Sequence, residues 1–180
     1  MGLDMYLNKH VYVGAEYEHR KVTGTIDIKI DGKPLAINFD NVSYIVERAG
    51  YWRKANAIHK WFVANVQNGE DDCQDYNVDA SQLKELLGLV NKVLDSSKLV
   101  DSVIANGYTF KDGVETPNFE AGKIVENPEV AQELLPASSG FFFGSTDYDQ
   151  WYIEDLKLTK TILEKALTDE DAEYYYSSSW

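Results

Sequence analysis

Apolar and polar side chains alternate in two stretches near the start of the chain. Leu3, Met5 and Leu7 are separated by one residue each, and this period of two predicts a first β-strand. A second alternation lies on both sides of Asp31-Gly32, a dipeptide typical of two-residue turns. Its apolar positions are Ile26, Ile28 and Ile30 before the turn and Leu35, Ile37 and Phe39 after it. This pattern predicts a β-hairpin.

The apolar period then becomes helical. A first helix is predicted to start at Tyr51, because apolar residues recur from there at every third or fourth position. These residues are Tyr51, Ala55, Ile58, Phe62 and Val66. A second helix is predicted after Asp79, a capping residue with Gln82 at the third helical position. Its apolar stripe is the strongest in the chain and comprises Leu83, Leu86, Leu87, Val90, Val93 and Leu94.

The C-terminal half adds a hairpin and two further helices. The stretch 108–114 has an Asp-Gly turn signal between apolar residues, which predicts a second hairpin. Residues 127–128 are Asn-Pro, a typical helix start, and Pro136 limits that helix to a short one. A third long helix is predicted over about 149–167, with Thr146 or Asp147 as its cap.

Together these elements predict a single α+β domain over residues 1–180. A mostly antiparallel sheet from the N-terminal hairpins is expected to pack against about three longer helices, which start near Tyr51, Asp79 and Asp149. The tail 174–180 is rich in Tyr and Ser. It is too aromatic for us to expect disorder, and it is a candidate for docking on the body of the protein or on another subunit.

The charge of the chain excludes some classes of partner. The formal net charge is −13, but residues 1–69 carry a net +2 and residues 70–180 carry −15. Such an acidic chain would repel the backbone of duplex nucleic acid, so we expect no duplex partner. No apolar run approaches the length of a membrane span, the start of the chain lacks the pattern of a signal peptide, and Cys73 is the only cysteine. These features predict a cytoplasmic protein without a membrane partner.

The stretch 48–69 is the main candidate for a binding site. It holds four Lys or Arg, one His, four aromatic rings and no carboxylate. Trp52, Asn56 and His59 would share one stripe of the predicted helix, with Arg53 and Lys60 flanking it, and Lys54 is included among the predicted ligand-binding residues. A ring for stacking, an amide and several cationic donors are what a nucleotide-like ligand needs. The alternative is that the rings pack at the margin of the core while the cations pair with the abundant carboxylates.

The segment 139–149 is a second candidate. It reads SGFFFGSTDYD and ends where the third long helix is expected to begin, so its backbone amides would attract an anion. Asp147 and Asp149 would oppose this and would attract a cation such as Arg53 or Lys54. We include Asp147 and Tyr148 among the predicted ligand-binding residues. The alternative is that the segment only caps the helix and fills the core.

Catalytic and metal chemistry have weaker signals. His59 with Asp147 or Asp149 could serve a small hydrolase, but no nucleophile motif accompanies them. The acidic residues around Cys73 lack the spacing of a calcium loop or a zinc site. We therefore predict no catalytic residue, no metal and no cofactor.

Several strings resemble an uncharacterised family of phage and prophage proteins. They are GLDMYL at 2–7, YWRKAN at 51–56 followed by IH at 58–59 and WF at 61–62, DC at 72–73, and SGFFFGSTDYD at 139–149. The resemblance implies a phage origin and a location in the host bacterial cytoplasm, and it supplies no catalytic residues. By analogy with other small phage proteins it suggests a counter-defence role.

These observations favour a non-enzymatic, phage-encoded binding protein that sequesters a small anionic or nucleotide-like host signal. One alternative is an acidic protein–protein inhibitor of a host factor. A second alternative is a small hydrolase that uses His59. The subunit count stays open, and a homo-oligomer is compatible with the sequence.

Overall fold

The computed structural model describes residues 2–22, 27–111, 113–140, 143–169 and 172–180. Its strands and helices, in chain order, are β1 (Asp4–Tyr12), β2 (Lys29–Ile30), β3 (Lys33–Pro34), β4 (Tyr44–Arg53), α1 (Asn56–Asn65), β5 (Tyr76–Val78), α2 (Ala80–Ser96), β6 (Leu99–Lys111), β7 (Val114–Val125), α3 (Glu129–Leu134), α4 (Gln150–Ala166) and β8 (Glu173–Ser179). Short 3-10 turns lie at Glu18–Arg20 and Phe39–Asn41. All strand pairs are antiparallel. The predicted α+β class, with three longer helices, is confirmed.

The central sheet joins the two ends of the described chain. Its strand order is β4-β1-β8-β5, so β8 lies between β1 and β5. Within β8, Tyr174, Tyr176 and Ser178 are buried while Tyr175 and Ser177 are half-buried. This alternation is the period of two that one covered face imposes on a strand. The Tyr- and Ser-rich tail is therefore an interior strand of the sheet.

Two hairpins lie outside the central sheet. The β2–β3 hairpin has Asp31 and Gly32 at its turn, both with positive φ (50° and 75°), as a type I′ turn requires. Its strands are shorter than the sequence predicts: Leu35 is exposed beyond the pairing, and Ile26 lies outside the described residues. The predicted second hairpin is formed by β6 and β7, which pair from Leu99↔Val125 to Lys111↔Val114, while Asp112 of its turn lies outside the described residues.

The core lies between one face of the central sheet and the helices. The predicted inward positions of β1 are confirmed as buried: Leu3, Met5 and Leu7. Of the predicted α2 stripe, Leu83, Leu86, Val90 and Val93 are buried, while Leu87 and Leu94 are half-buried and pack against the core. In α4, Leu156 and Leu163 are buried. Phe62 of α1 stacks on Tyr176 of β8, with 3.9 Å between ring centroids. A Cβ at Gly50 of β4 would lie 2.5 Å from Cγ2 of Ile162, so this glycine lets α4 pack directly on the strand.

The predicted start of the first long helix is wrong. Residues 51–53 belong to β4, and α1 begins at Asn56. Tyr51 and Arg53 are exposed while Trp52 is fully buried, which is the alternation of a strand paired with β1. The sequence predicted a helix here because, over only a few residues, the apolar positions of a strand and of a helix can be the same.

The helix caps agree in part with the sequence prediction. Asp79 and Gln82 form the predicted capping box at the start of α2. Asp149 caps α4 by accepting hydrogen bonds from the amides of Trp151 and Tyr152, so the prediction of Thr146 or Asp147 as the cap is wrong. Among the described residues, no helix has the length and apolar run needed to cross a lipid bilayer.

Candidate functional site

A cleft of about 900 Å³ lies where the end of β4, the start of α1, the loop before α4 and the first turns of α4 meet. Residues 105–107 also line the cleft, at an irregularity in the β6–β7 pairing where Gly107 has a φ of +77°. The volume is within the range of pockets that hold small ligands and cofactors. This cleft is the candidate site because it brings together side chains of both charges and an exposed ring.

Arg53 and Lys54 form the cationic wall of the cleft. Both side chains are exposed, and neither has an ion-pair partner among the described residues. Lys54 has a φ of +62°, and the following Ala55 (φ −73°, ψ 68°) makes a tight turn in which the Asn56 amide donates to the Lys54 carbonyl at 2.8 Å. The turn ends β4 and starts α1, so it places the two cations directly before the helix.

The first turn of α1 adds unpaired backbone donors to this wall. Its cap residue, Ala55, has no side chain that accepts a hydrogen bond, and the turn contains no acidic residue. The amides of Ala57 and Ile58 donate to no acceptor among the described residues, although both residues are buried and line the cleft. Free amides at the positive end of the helix dipole attract anions.

Carboxylates from α4 and the preceding loop also line the cleft. They are Asp147, Asp149, Glu154 and Asp155. The Asp155 carboxylate has no hydrogen-bond or ion-pair partner among the described residues, and burial, followed by the charges of Asp149 and Glu154, raises its pKa to about 7. Burial also raises the pKa of Asp149, against the hydrogen bonds that it accepts as the helix cap. Asp155 is therefore partly protonated near neutral pH.

Trp151 supplies an exposed ring to the cleft. About half of its side chain is exposed, and it precedes Asp155 by one helical turn. Our sequence prediction missed both residues. The i, i+4 spacing of a Trp and an Asp outside the apolar stripe of α4 was the available signal, but such pairs also occur on ordinary exposed helix faces.

Asn56 holds the loop that closes one side of the cleft. Its Nδ2 donates to the carbonyl oxygens of Phe143 (3.2 Å) and Ser145 (2.7 Å), and its Oδ1 accepts from the Ser138 amide (3.0 Å). The side chain is buried, and its bond to Phe143 is shielded from water, while the bonds to Ser145 and Ser138 are partly shielded. Asn56 thus positions the loop, although it was predicted as a ligand contact.

Trp52 and His59 lie outside the lining of the cleft. Trp52 is fully buried, and its Nε1 donates to Oγ1 of Thr159 at 2.9 Å. His59 is also buried, with Nε2 3.0 Å from the Asp71 carboxylate and Nδ1 2.8 Å from the Tyr176 hydroxyl. The carboxylate requires a donor, so Nε2 carries a proton, and in the neutral imidazole Nδ1 accepts from the Tyr176 hydroxyl. His59 therefore pairs with Asp71, not with Asp147 or Asp149.

The two residues predicted in the loop before α4 differ in position. Asp147 lines the cleft and accepts a hydrogen bond from Oγ of Ser145 at 2.9 Å. Tyr148 is half-buried, and its hydroxyl accepts from the Ala137 amide at 3.0 Å. Of the seven predicted ligand-binding residues, the structure brings Arg53, Lys54, Asn56 and Asp147 together at the cleft and places Trp52, His59 and Tyr148 in its support.

Within the described residues, no group of three or more His, Cys, Asp or Glu side chains is arranged to hold a metal ion. Comparisons with protein-family models, with curated proteins and with solved structures find no match to this chain, so its function has to be argued from the geometry of the cleft.

Proposed function

We propose that this chain is a binding protein for a small anionic, nucleotide-like molecule, and that the cleft is the binding site. The observation that supports this most is the unpaired cationic wall: Arg53 and Lys54 stand next to the free amides of Ala57 and Ile58 in a cavity of ligand size. A phosphate or carboxylate group placed there would meet two charged side-chain donors, and the unpaired amides at the start of α1 would favour its negative charge.

This proposal changes the roles expected from the sequence. Trp52, Asn56 and His59 already have internal hydrogen-bond partners, so we assign them to the support of the site. The anionic group is held by Arg53, Lys54 and the α1 amides. Sequestering a host signal in the bacterial cytoplasm, as the phage-family resemblance suggests, remains part of the proposal. A binding role needs no catalytic group, and we assign none.

The experiment is calorimetric titration with inorganic phosphate, nucleoside monophosphates and ribose 5-phosphate. The double variant Arg53→Gln/Lys54→Gln should weaken binding of each bound anion by about 10- to 100-fold, because charge-assisted hydrogen bonds are lost. The matched control is Lys60→Gln, since Lys60 is an exposed cation of α1 outside the cleft. The affinity of Lys60→Gln for each anion should stay within about twofold of the affinity of the unmodified protein. Equal affinity of the double variant and the control would refute the proposed site.

A second candidate function is inhibition of a host protein. The β6–β7 hairpin presents Val103, Phe110 and Phe119, each more than 60% exposed, and the strand register places all three on one face. Exposed apolar patches of this kind mark protein interfaces. The fitting partner has an apolar surface with a basic rim that complements the net charge of −13.

Variants of the hairpin and of the cleft distinguish the two candidate functions. If the protein acts through the hairpin, Phe119→Ser should abolish inhibition of the host factor while Arg53→Gln/Lys54→Gln leaves it intact. The opposite result would assign the biological activity to the cleft.

A further inference from the structure

Trp151 and Asp155 lie one turn apart on the same side of α4, and both line the cleft. Residues at this spacing are neighbours on a helix surface, with Cβ atoms roughly 5–6 Å apart. A flat ring that stacks on the Trp151 indole would therefore have its edge within reach of the Asp155 carboxylate. Stacking on an aromatic side chain contributes roughly 1–3 kcal/mol per nucleobase.

Asp155 differs from Asp147 and Asp149 in lacking a partner for its carboxylate, and from the exposed Glu154 in being partly buried. Asp149 is used as the cap of α4, and Asp147 accepts from Ser145, whereas Asp155 has no partner among the described residues. A partly buried carboxylate without a donor is unfavourable. A donor supplied by a ligand would satisfy it, and the rise of its pKa to about 7 is consistent with a missing partner.

The chemistry of a carboxylate selects among ring ligands. Its two oxygens accept two parallel N–H bonds from adjacent donors. Guanine presents such a pair, the ring N1–H and the exocyclic N2 amino group, on one edge. Adenine has an exocyclic amino group beside a ring nitrogen that is an acceptor, which would face the second carboxylate oxygen unfavourably.

We infer that the cleft binds a guanine nucleotide, with the base stacked on Trp151, its N1–H and N2 amino group donating to Asp155, and its phosphate at Arg53, Lys54 and the α1 amides. This rests on the function proposed above and specifies the ligand of the same site. The cleft of about 900 Å³ has room for a mononucleotide.

The test compares four probes by calorimetry at pH 8, where Asp155 is ionised: guanosine, inosine and adenosine monophosphates and ribose 5-phosphate. Inosine monophosphate lacks only the N2 amino group of the guanosine compound. We expect guanosine monophosphate to bind about tenfold or more tightly than the inosine compound, and both to bind more tightly than the adenosine compound. Asp155→Asn should reduce the guanosine-to-inosine ratio to about one.

Two further variants sharpen the assignment. Glu164→Gln removes an exposed carboxylate of α4 outside the cleft and should leave the ratio unchanged. Trp151→Ala should weaken all three nucleotides by about tenfold without affecting ribose 5-phosphate, which has no base to stack. Circular dichroism of each variant verifies that it is folded.

The outcomes distinguish this inference from the proposed function. If ribose 5-phosphate binds as tightly as guanosine monophosphate, or if Asp155→Asn retains the guanosine preference, the inference is overturned while anion binding at the cleft stands. If none of the four probes binds, both are overturned. A guanosine preference that disappears in Asp155→Asn and persists in Glu164→Gln supports the inference.

Discussion

At the scale of single residues, the polar side chains of the chain divide into those that hold the cleft and those that are free to bind. Asn56 makes three hydrogen bonds to the loop 138–145, and Trp52 and His59 each have internal partners. The side chains of Arg53, Lys54 and Asp155 have no hydrogen-bond or ion-pair partner within the described part of the chain. The free groups are the ones that a ligand can use.

Asn56→Ala should lower the free energy of unfolding by about 2–4 kcal/mol, because it removes three hydrogen bonds to the loop and leaves the buried Phe143 carbonyl without this partner. Asn77→Ala is the control: Asn77 is exposed and its side chain makes no hydrogen bond to a described residue, so the change should stay within about 0.5 kcal/mol. Urea unfolding measures both. Equal effects would show that the Asn56 bonds do not stabilise the loop.

Asp155→Asn should change the pH dependence of stability. Burial raises the folded pKa of Asp155 to about 7 from 3.8, so between these values the folded state holds a proton that the unfolded state has lost. The free energy of unfolding therefore falls as pH rises from about 4 to 7, and this contribution is flat above pH 7.

Asparagine at position 155 does not titrate, so the variant should gain about 1–2 kcal/mol relative to the unmodified protein between pH 5 and pH 8, allowing for partial exposure. Urea unfolding at the two pH values measures this gain. Parallel curves for the two proteins would contradict the raised pKa.

At the scale of elements, the strand β8 decides whether the site can form. It lies between β1 and β5, and its Tyr176 contacts both His59 and Phe62 of α1. Removal of residues 173–180 would expose the edges of two strands and remove buried side chains, so the truncated chain should lose cooperative thermal unfolding. Removal of Trp180 alone, which follows the strand, should leave thermal unfolding cooperative. A cooperative transition in the longer truncation would contradict the central position of β8.

Sequence patterns were reliable where one period ran long enough. The stripes of α2 and α4 span several turns, and the alternation in β1 and the turn at Asp31-Gly32 are local signals, so these elements were predictable. The start of α1 at Asn56 was not predictable, because only two residues separate the end of β4 from the start of α1. The turn between them depends on the positive φ of Lys54. Pairing of β8 with β1 is a contact between distant segments, which no local period reveals.

The candidate site was predictable only in part, because it too depends on contacts between distant segments of the chain. Arg53, Lys54 and Asp147 were recognised by charge and do line the cleft. Trp52 and His59 were chosen from a helical stripe that does not exist at Trp52. Trp151 and Asp155 were missed because their place in the cleft depends on how α4 packs against β4 and brings its first turns to the site, which is tertiary information.

At the scale of the whole molecule, the site places a cationic wall within a strongly acidic protein. The net charge of −13 repels an approaching anion, whereas Arg53 and Lys54 attract it at short range. Salt screens both effects, with a Debye length of about 8 Å at physiological ionic strength. Affinity for a nucleoside monophosphate should therefore change by less than about threefold between 20 and 150 mM salt. A steep loss with added salt, as in basic phosphate-binding proteins, would contradict this balance.

The most direct test of the cleft as the binding site is a nitrogen-15 NMR titration with guanosine monophosphate. The account predicts that the backbone amide signals of Ala57 and Ile58 shift saturably, because their unpaired N–H groups lie at the end of the cleft where the phosphate binds. Saturable shifts confined to other surfaces of the protein, with the Ala57 and Ile58 signals unmoved, would contradict it.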